Sequence, residues 1–130
     1  MVRTFASFTW DVPIAADAQQ PYAESEVANL VASFRAAGIE LTQPMDAEFA
    51  WDFFGKLPHI EMYCQLGLVE SNSWLLTCHP QRSFVSWILR RWWEQEQEDF
   101  VRRLNEELRS EKRISEVRWY SPEEWNRVGV

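Results

Sequence analysis

FAWDFFGKLPHIEMYCQLGLVESNSWLLTCHP, residues Phe49 to Pro80, reads with a period of two almost throughout. Phe49, Trp51 and Phe53 alternate with Glu48, Ala50 and Asp52. Ile60, Met62, Cys64 and Leu66 alternate with His59, Glu61, Tyr63 and Gln65. Trp74, Leu76 and Cys78 alternate with Ser73, Leu75 and Thr77. Such alternation marks strands with one dry and one wet face. Gly55 with Lys56, and the run Gly67 to Asn72, read as the turns. Pro80 reads as the end of the third strand, because it cannot donate to a ladder. The stretch therefore predicts a three-strand antiparallel meander. Its wet face carries Glu48, Asp52, Glu61, Tyr63, Gln65, Ser73 and Thr77.

Toward the N-terminus, Val2 to Trp10 predicts a further strand, and Asp11 to Tyr22 a linker bracketed by Pro13 and Pro21. Val27, Leu30, Val31 and Phe34 recur at i, i+3, i+4 and i+7, which predicts a helix over about residues 23–37. Glu24 and Glu26 suit its first turn and Gly38 its end. Toward the C-terminus the period turns helical again. Trp93, Phe100, Val101, Leu104 and Leu108 form one stripe, which predicts a helix over about residues 94–110. Ile114 to Tyr120 predicts a last strand with Val117 and Trp119 facing inward. Ser121, Pro122 and Glu124 spell the start of a short helix: N-cap, N1 proline and N3 acid.

The expected order is β-α-β-β-β-α-β-(α). It implies an α+β fold, an antiparallel sheet of about four to five strands with helices packed on one face. At 130 residues the chain is expected to be one domain spanning residues 1–130. Hydrophobic residues make up 46% and charged residues 25%, a globular rather than a disordered composition.

The formal net charge is -7. That sign argues against nucleic acid, whose binding depends on neutralising phosphates, and against anionic membrane surfaces. It favours basic protein partners. No apolar run approaches the length of a membrane span, and the N-terminal residues do not resemble a signal peptide. A cytoplasmic location with reduced thiols follows as an expectation. Cys64 and Cys78 fall on the dry faces of neighbouring strands, where a thiol behaves as a small hydrophobe.

No motif for nucleophilic catalysis or phosphate binding is present, and the chain is expected to be neither an enzyme nor cofactor-dependent. His59, Glu61 and His79 have the residue types of a zinc site but not its spacing, so no metal is expected. The strongest signal is aromatic. Eight tryptophans occur, and Trp87, Trp92 and Trp93 crowd the segment SFVSWILRRWW. Trp92 and Trp93 are adjacent and diverge by about 100° on a helix, so core packing accommodates both only at its edge. Tryptophan and arginine anchor protein interfaces. The candidate partner-binding residues are thus Trp87, Trp92 and Trp93, the acids Glu94, Glu96, Glu98 and Asp99 that follow, and Glu48, Asp52 and Glu61 on the wet face.

In size, acidity and composition the whole chain resembles the small bacterial immunity proteins of contact-dependent inhibition, type VI secretion and polymorphic toxin systems. The resemblance rests on no motif and transfers no residue. It implies a non-catalytic protein-binding domain that neutralises a basic antibacterial toxin domain by occluding its active site or substrate surface. The alternatives are an adaptor or chaperone for a secreted or phage protein, and a self-associating domain such as a homodimer.

Overall fold

A computed structural model describes residues 2–81 and 90–128, the side chains of residues 90–93 excepted. The strands are β1 (Phe5–Trp10), β2 (Met45–Asp46), β3 (Trp51–Lys56), β4 (Glu61–Glu70), β5 (Ser73–Gln81) and β6 (Ile114–Tyr120). The described helices are α1 (Glu24–Ala36), α2 (Arg90–Ser110) and α3 (Pro122–Val128). The fold is α+β. Its sheet has six strands in the order β2-β3-β4-β5-β1-β6, every neighbouring pair antiparallel. The meander runs on from the edge strand β2, and β1 closes on its far side between β5 and β6.

Helices α1 and α2 cover one face of this sheet. Val27, Leu30, Val31 and Phe34 of α1 are buried, as the helical stripe implied, and so are Phe100, Leu104 and Leu108 of α2. They join Phe53, Met62, Cys64, Leu66, Trp74, Leu76, Ala6 and Phe8 from the strands in a single core. The dry positions of β3, β4 and β5 are those the alternation indicated. Trp10, Trp51 and Trp74 all lie inside this core, with Trp10 edge-on to Trp74 at 5.0 Å.

Helix α1 ends in a complete Schellman motif. The Ile39 N–H donates to the Phe34 carbonyl (3.1 Å) and the Gly38 N–H to the Arg35 carbonyl (3.0 Å). Gly38 takes φ 92°, a left-handed value that costs glycine little. The Arg103 guanidinium of α2 then donates to the Ala37 carbonyl (3.1 Å), placing a cation at the negative end of α1. Asn105 ties α2 to β6, since its Oδ1 accepts from both Trp119 Nε1 and Arg109 Nε at 2.9 Å. At α3 the Ser121 N–H donates to Glu124 Oε1 (2.8 Å) and the Glu124 N–H to Ser121 Oγ (3.2 Å), a reciprocal capping box.

Several expectations need correction. There are six strands, because Met45 and Asp46 add a short edge pairing before the meander. Glu48 and Phe49 are not in a strand. They form the tight β2–β3 turn, where Glu48 takes φ 72° and its N–H donates to Asp46 Oδ1 (2.8 Å). Phe49 is accordingly 71% exposed rather than dry. Gly55 and Lys56 belong to β3, and the turn comes later, with the Leu57 N–H on the Ile60 carbonyl (2.9 Å). Gly67 also lies within a strand, where a Cβ would stand 3.2 Å from that of Ala50. β5 continues through Pro80 to Gln81. Its ring is tolerated because the missing N–H would point to the β1 side, beyond the last contact there, the Cys78 N–H on the Thr4 carbonyl (3.0 Å).

Both sheet edges are blunted. β2 is two residues long. In β6 the register shifts between Ser7 and Thr9, with Glu116 at φ 55°, so the edge strand bulges at its middle. No helix among the described residues is long and apolar enough to cross a membrane.

Candidate partner-binding face

Directly opposed residues of an antiparallel pair share a face, so the register reads out the side of the sheet that α1 and α2 leave uncovered. One line crosses all six strands: Met45, Asp52, Gln65, Thr77, Phe5, Tyr120. The neighbouring line is Phe54, Tyr63, His79. Glu61, Ser73 and Thr9 extend the same face.

The two lines bring rings together into a continuous row. Phe54 stacks on Tyr63 with centroids 5.3 Å apart, and Tyr63 lies 6.5 Å from His79. Phe5 meets His79 edge-on at 5.2 Å. Tyr120 stands opposite Phe5 and packs edge-on against Trp125 of α3 at 5.5 Å. Among the described elements, α3 alone touches this face, at its rim through Trp125. Phe5 is buried within the row at 9% exposure, whereas Tyr63, His79 and Tyr120 carry polar tips that suit a surface wet when free and dry when covered.

The carboxylates are spread unevenly over the face. Asp52 is half-buried and its Oδ2 accepts a bond from the Tyr63 hydroxyl at 2.7 Å. Burial, then that bond and the Asp52 charge, hold the Tyr63 phenol above its ordinary pKa. Asp52 Oδ1 and Thr77 Oγ1 are buried without a hydrogen-bond partner among the described residues. Glu61 is exposed at the start of β4. Glu116 Oε2 accepts from Thr9 Oγ1 (3.1 Å) beside a cleft of about 290 Å³ that also takes in Ser73, Arg118 and Tyr120. At one corner, where the β2–β3 turn meets the end of β4, Met45 (51%), Phe49 (71%) and Val69 (57%) expose large apolar side chains.

The residues singled out in the sequence do not converge on one surface. Asp52 and Glu61 lie on the open face, and Glu48 sits in the turn beside it rather than in a strand. Glu94, Glu98 and Asp99 are exposed on α2, which packs on the opposite side of the sheet. Glu96 turns inward and is held by His59, whose backbone N–H donates to Oε2 (3.2 Å) and whose Nδ1 contacts Oε1. Trp87 lies outside the described residues, as do the side chains of Trp92 and Trp93. Of the three residues with metal-ligand character, His59 faces α2, and His79 is exposed on the open face between the Phe5 and Tyr63 rings. No cluster of three or more metal-ligating side chains forms among the described residues.

The row itself went unread in the sequence. Phe54 was legible, since the alternation that makes Asp52 wet makes Phe54 wet too. Phe5 and Tyr120 were not, because no local signal says that β1 inserts between β5 and β6. Comparison with known proteins finds no matching family model, no curated relative and no similar solved structure.

Proposed function

We propose that this chain is a non-catalytic protein-binding domain, an immunity protein that neutralises a cognate antibacterial toxin by covering its active site or substrate surface. The observation that carries the reading is the ring row Phe54, Tyr63, His79, Phe5, Tyr120 on the sheet face left uncovered by α1 and α2. Blunted edges favour docking on a face over strand addition. Rings exclude water from the contact and slow dissociation. The net charge of -7 draws a basic partner and raises the rate of encounter. Asp52 and Glu61 add carboxylates to the face, the charge that suits a basic partner surface. The exposed acids Glu94, Glu98 and Asp99 of α2 form the second candidate surface.

Expression of the gene immediately upstream in a naive host, with and without this protein, tests the proposal. Growth arrest that this protein prevents is expected. A harmless upstream product, or arrest that this protein does not relieve, would sink the immunity reading and move the assignment to an adaptor or a self-associating domain.

A further inference from the structure

Cys64 on β4 and Cys78 on β5 are register partners, both fully buried at the centre of the covered face. Their Sγ atoms are 3.6 Å apart. The backbone around them identifies the kind of pair they make. The Cys78 N–H donates to Thr4 on the β1 side, so its polar groups point away from β4. On β3, Phe54 exchanges bonds with Thr42, whose N–H donates to the Phe54 carbonyl and whose hydroxyl accepts from the Phe54 N–H, both at 2.9 Å. The preceding residue, Phe53, therefore points its polar groups at its partner Cys64, and Cys64 directs its own toward β3. Both cysteines turn their backbone away from each other. They form a non-hydrogen-bonded pair, in which Cα atoms approach to about 4.5 Å. That separation lies within the range a disulfide spans.

We infer that Cys64 and Cys78 are a disulfide-forming pair that links β4 to β5 when the chain folds in the presence of a disulfide oxidant such as glutathione disulfide. One cysteine thiolate attacks the oxidant, expels a glutathione thiolate and forms a mixed disulfide. The second cysteine thiolate then attacks the protein sulfur of that bond and expels the other glutathione thiolate. Two protons pass from the cysteines to the two glutathiones, which are reduced as the pair is oxidised. The order of events matters. In the folded protein both sulfurs are buried beneath α1 and α2, out of reach of an oxidant, and burial together with the neighbouring thiol pushes the Cys64 pKa up, so little thiolate exists at Cys64. The core has no room for a glutathione adduct. The link therefore closes while the β4–β5 hairpin is still open, and the folded protein keeps the redox state in which it folded.

The test uses the whole protein, reduced and unfolded in denaturant, then refolded by dilution with or without glutathione disulfide. Free thiols are alkylated and peptides mapped by mass. Refolding with oxidant is expected to give monomer carrying an intramolecular Cys64–Cys78 link, native near-ultraviolet dichroism, and a melting temperature several degrees above the reduced form. Folded reduced protein given the same oxidant is expected to keep both thiols. Cys78→Ser, given oxidant while unfolded, is expected to take a glutathione adduct on Cys64 and no intramolecular link, and the adducted chain is expected not to regain native near-ultraviolet dichroism on dilution. Refolding that yields only adducts or intermolecular dimers would overturn the inference, as would a linked chain that is non-native or melts lower. Oxidation of the folded protein at the rate of the unfolded chain would overturn closure by burial.

Discussion

Trp51 spans two structural levels with one side chain. Its ring is buried in the core, and its Nε1 donates to the Tyr22 carbonyl at 2.8 Å, which clamps the segment entering α1 onto β3. Trp51→Ala should cost about 3–5 kcal/mol, as deletion of a buried aromatic does. Trp51→Phe keeps most of the volume and leaves the carbonyl unpaired, at about 1–2 kcal/mol. Urea denaturation midpoints of the two variants check the order. Thr77 behaves in the opposite sense. Its Oγ1 is buried and has no hydrogen-bond partner among the described residues, so Thr77→Val should be neutral or stabilise by up to about 1 kcal/mol. A clear loss of stability in that variant would show that the hydroxyl has a partner. The face on which Thr77 lies was legible from the alternation around it. Its lack of a partner was not, because that depends on β1 lying alongside.

At the scale of elements, α2 sits on β3 because Gly55 lets it. A Cβ at residue 55 would stand 2.7 Å from the Phe100 ring. Gly55→Ala should therefore destabilise by about 1–3 kcal/mol through overpacking. Combining it with Phe100→Leu should recover part of that loss, and a double-mutant cycle in denaturant reads the coupling. Sequence patterning indicated Gly55 as a turn, since nothing local distinguishes a glycine that turns from one that admits a neighbour's ring.

The start of α3 was legible to the residue, because capping is a local code. Its acid carries a pH signature. The Ser121 N–H first, then the Arg3 guanidinium at 3.0 Å, hold the Glu124 carboxyl below its ordinary pKa. A folded-state pKa below the unfolded value, about 4.3, makes this a contribution present above that pH. It is lost as pH falls through the folded value. Protection factors across α3, exchange rates taken relative to the intrinsic rate at each pH, should thus fall on acidification through this window in the wild type. In Glu124→Gln protection should be lower from the start and independent of pH over the same range.

For the molecule as a whole, the meander, both core helices and the final strand followed from period-two and period-3.6 patterns. The position of β1, and with it the ring row, did not. Phe5 and Tyr120 meet only because strands more than a hundred residues apart in sequence pair along their length. The candidate site consequently divides. Its acids were visible as wet positions in a strand, whereas its rings are a product of topology. This places the two acidic candidate surfaces on opposite sides of the sheet, where substitution separates them cleanly.

The most direct test is survival in the toxin co-expression assay with two double variants, each verified as folded by its melting temperature. Met45→Lys with His79→Lys sets positive charge on the open face at exposed positions and removes the central ring of the row. Glu94→Lys with Glu98→Lys reverses charge on α2 instead. The face variant is expected to lose protection while the helix variant keeps it. Protection retained by the face variant, or lost only in the helix variant, would contradict binding through the open face.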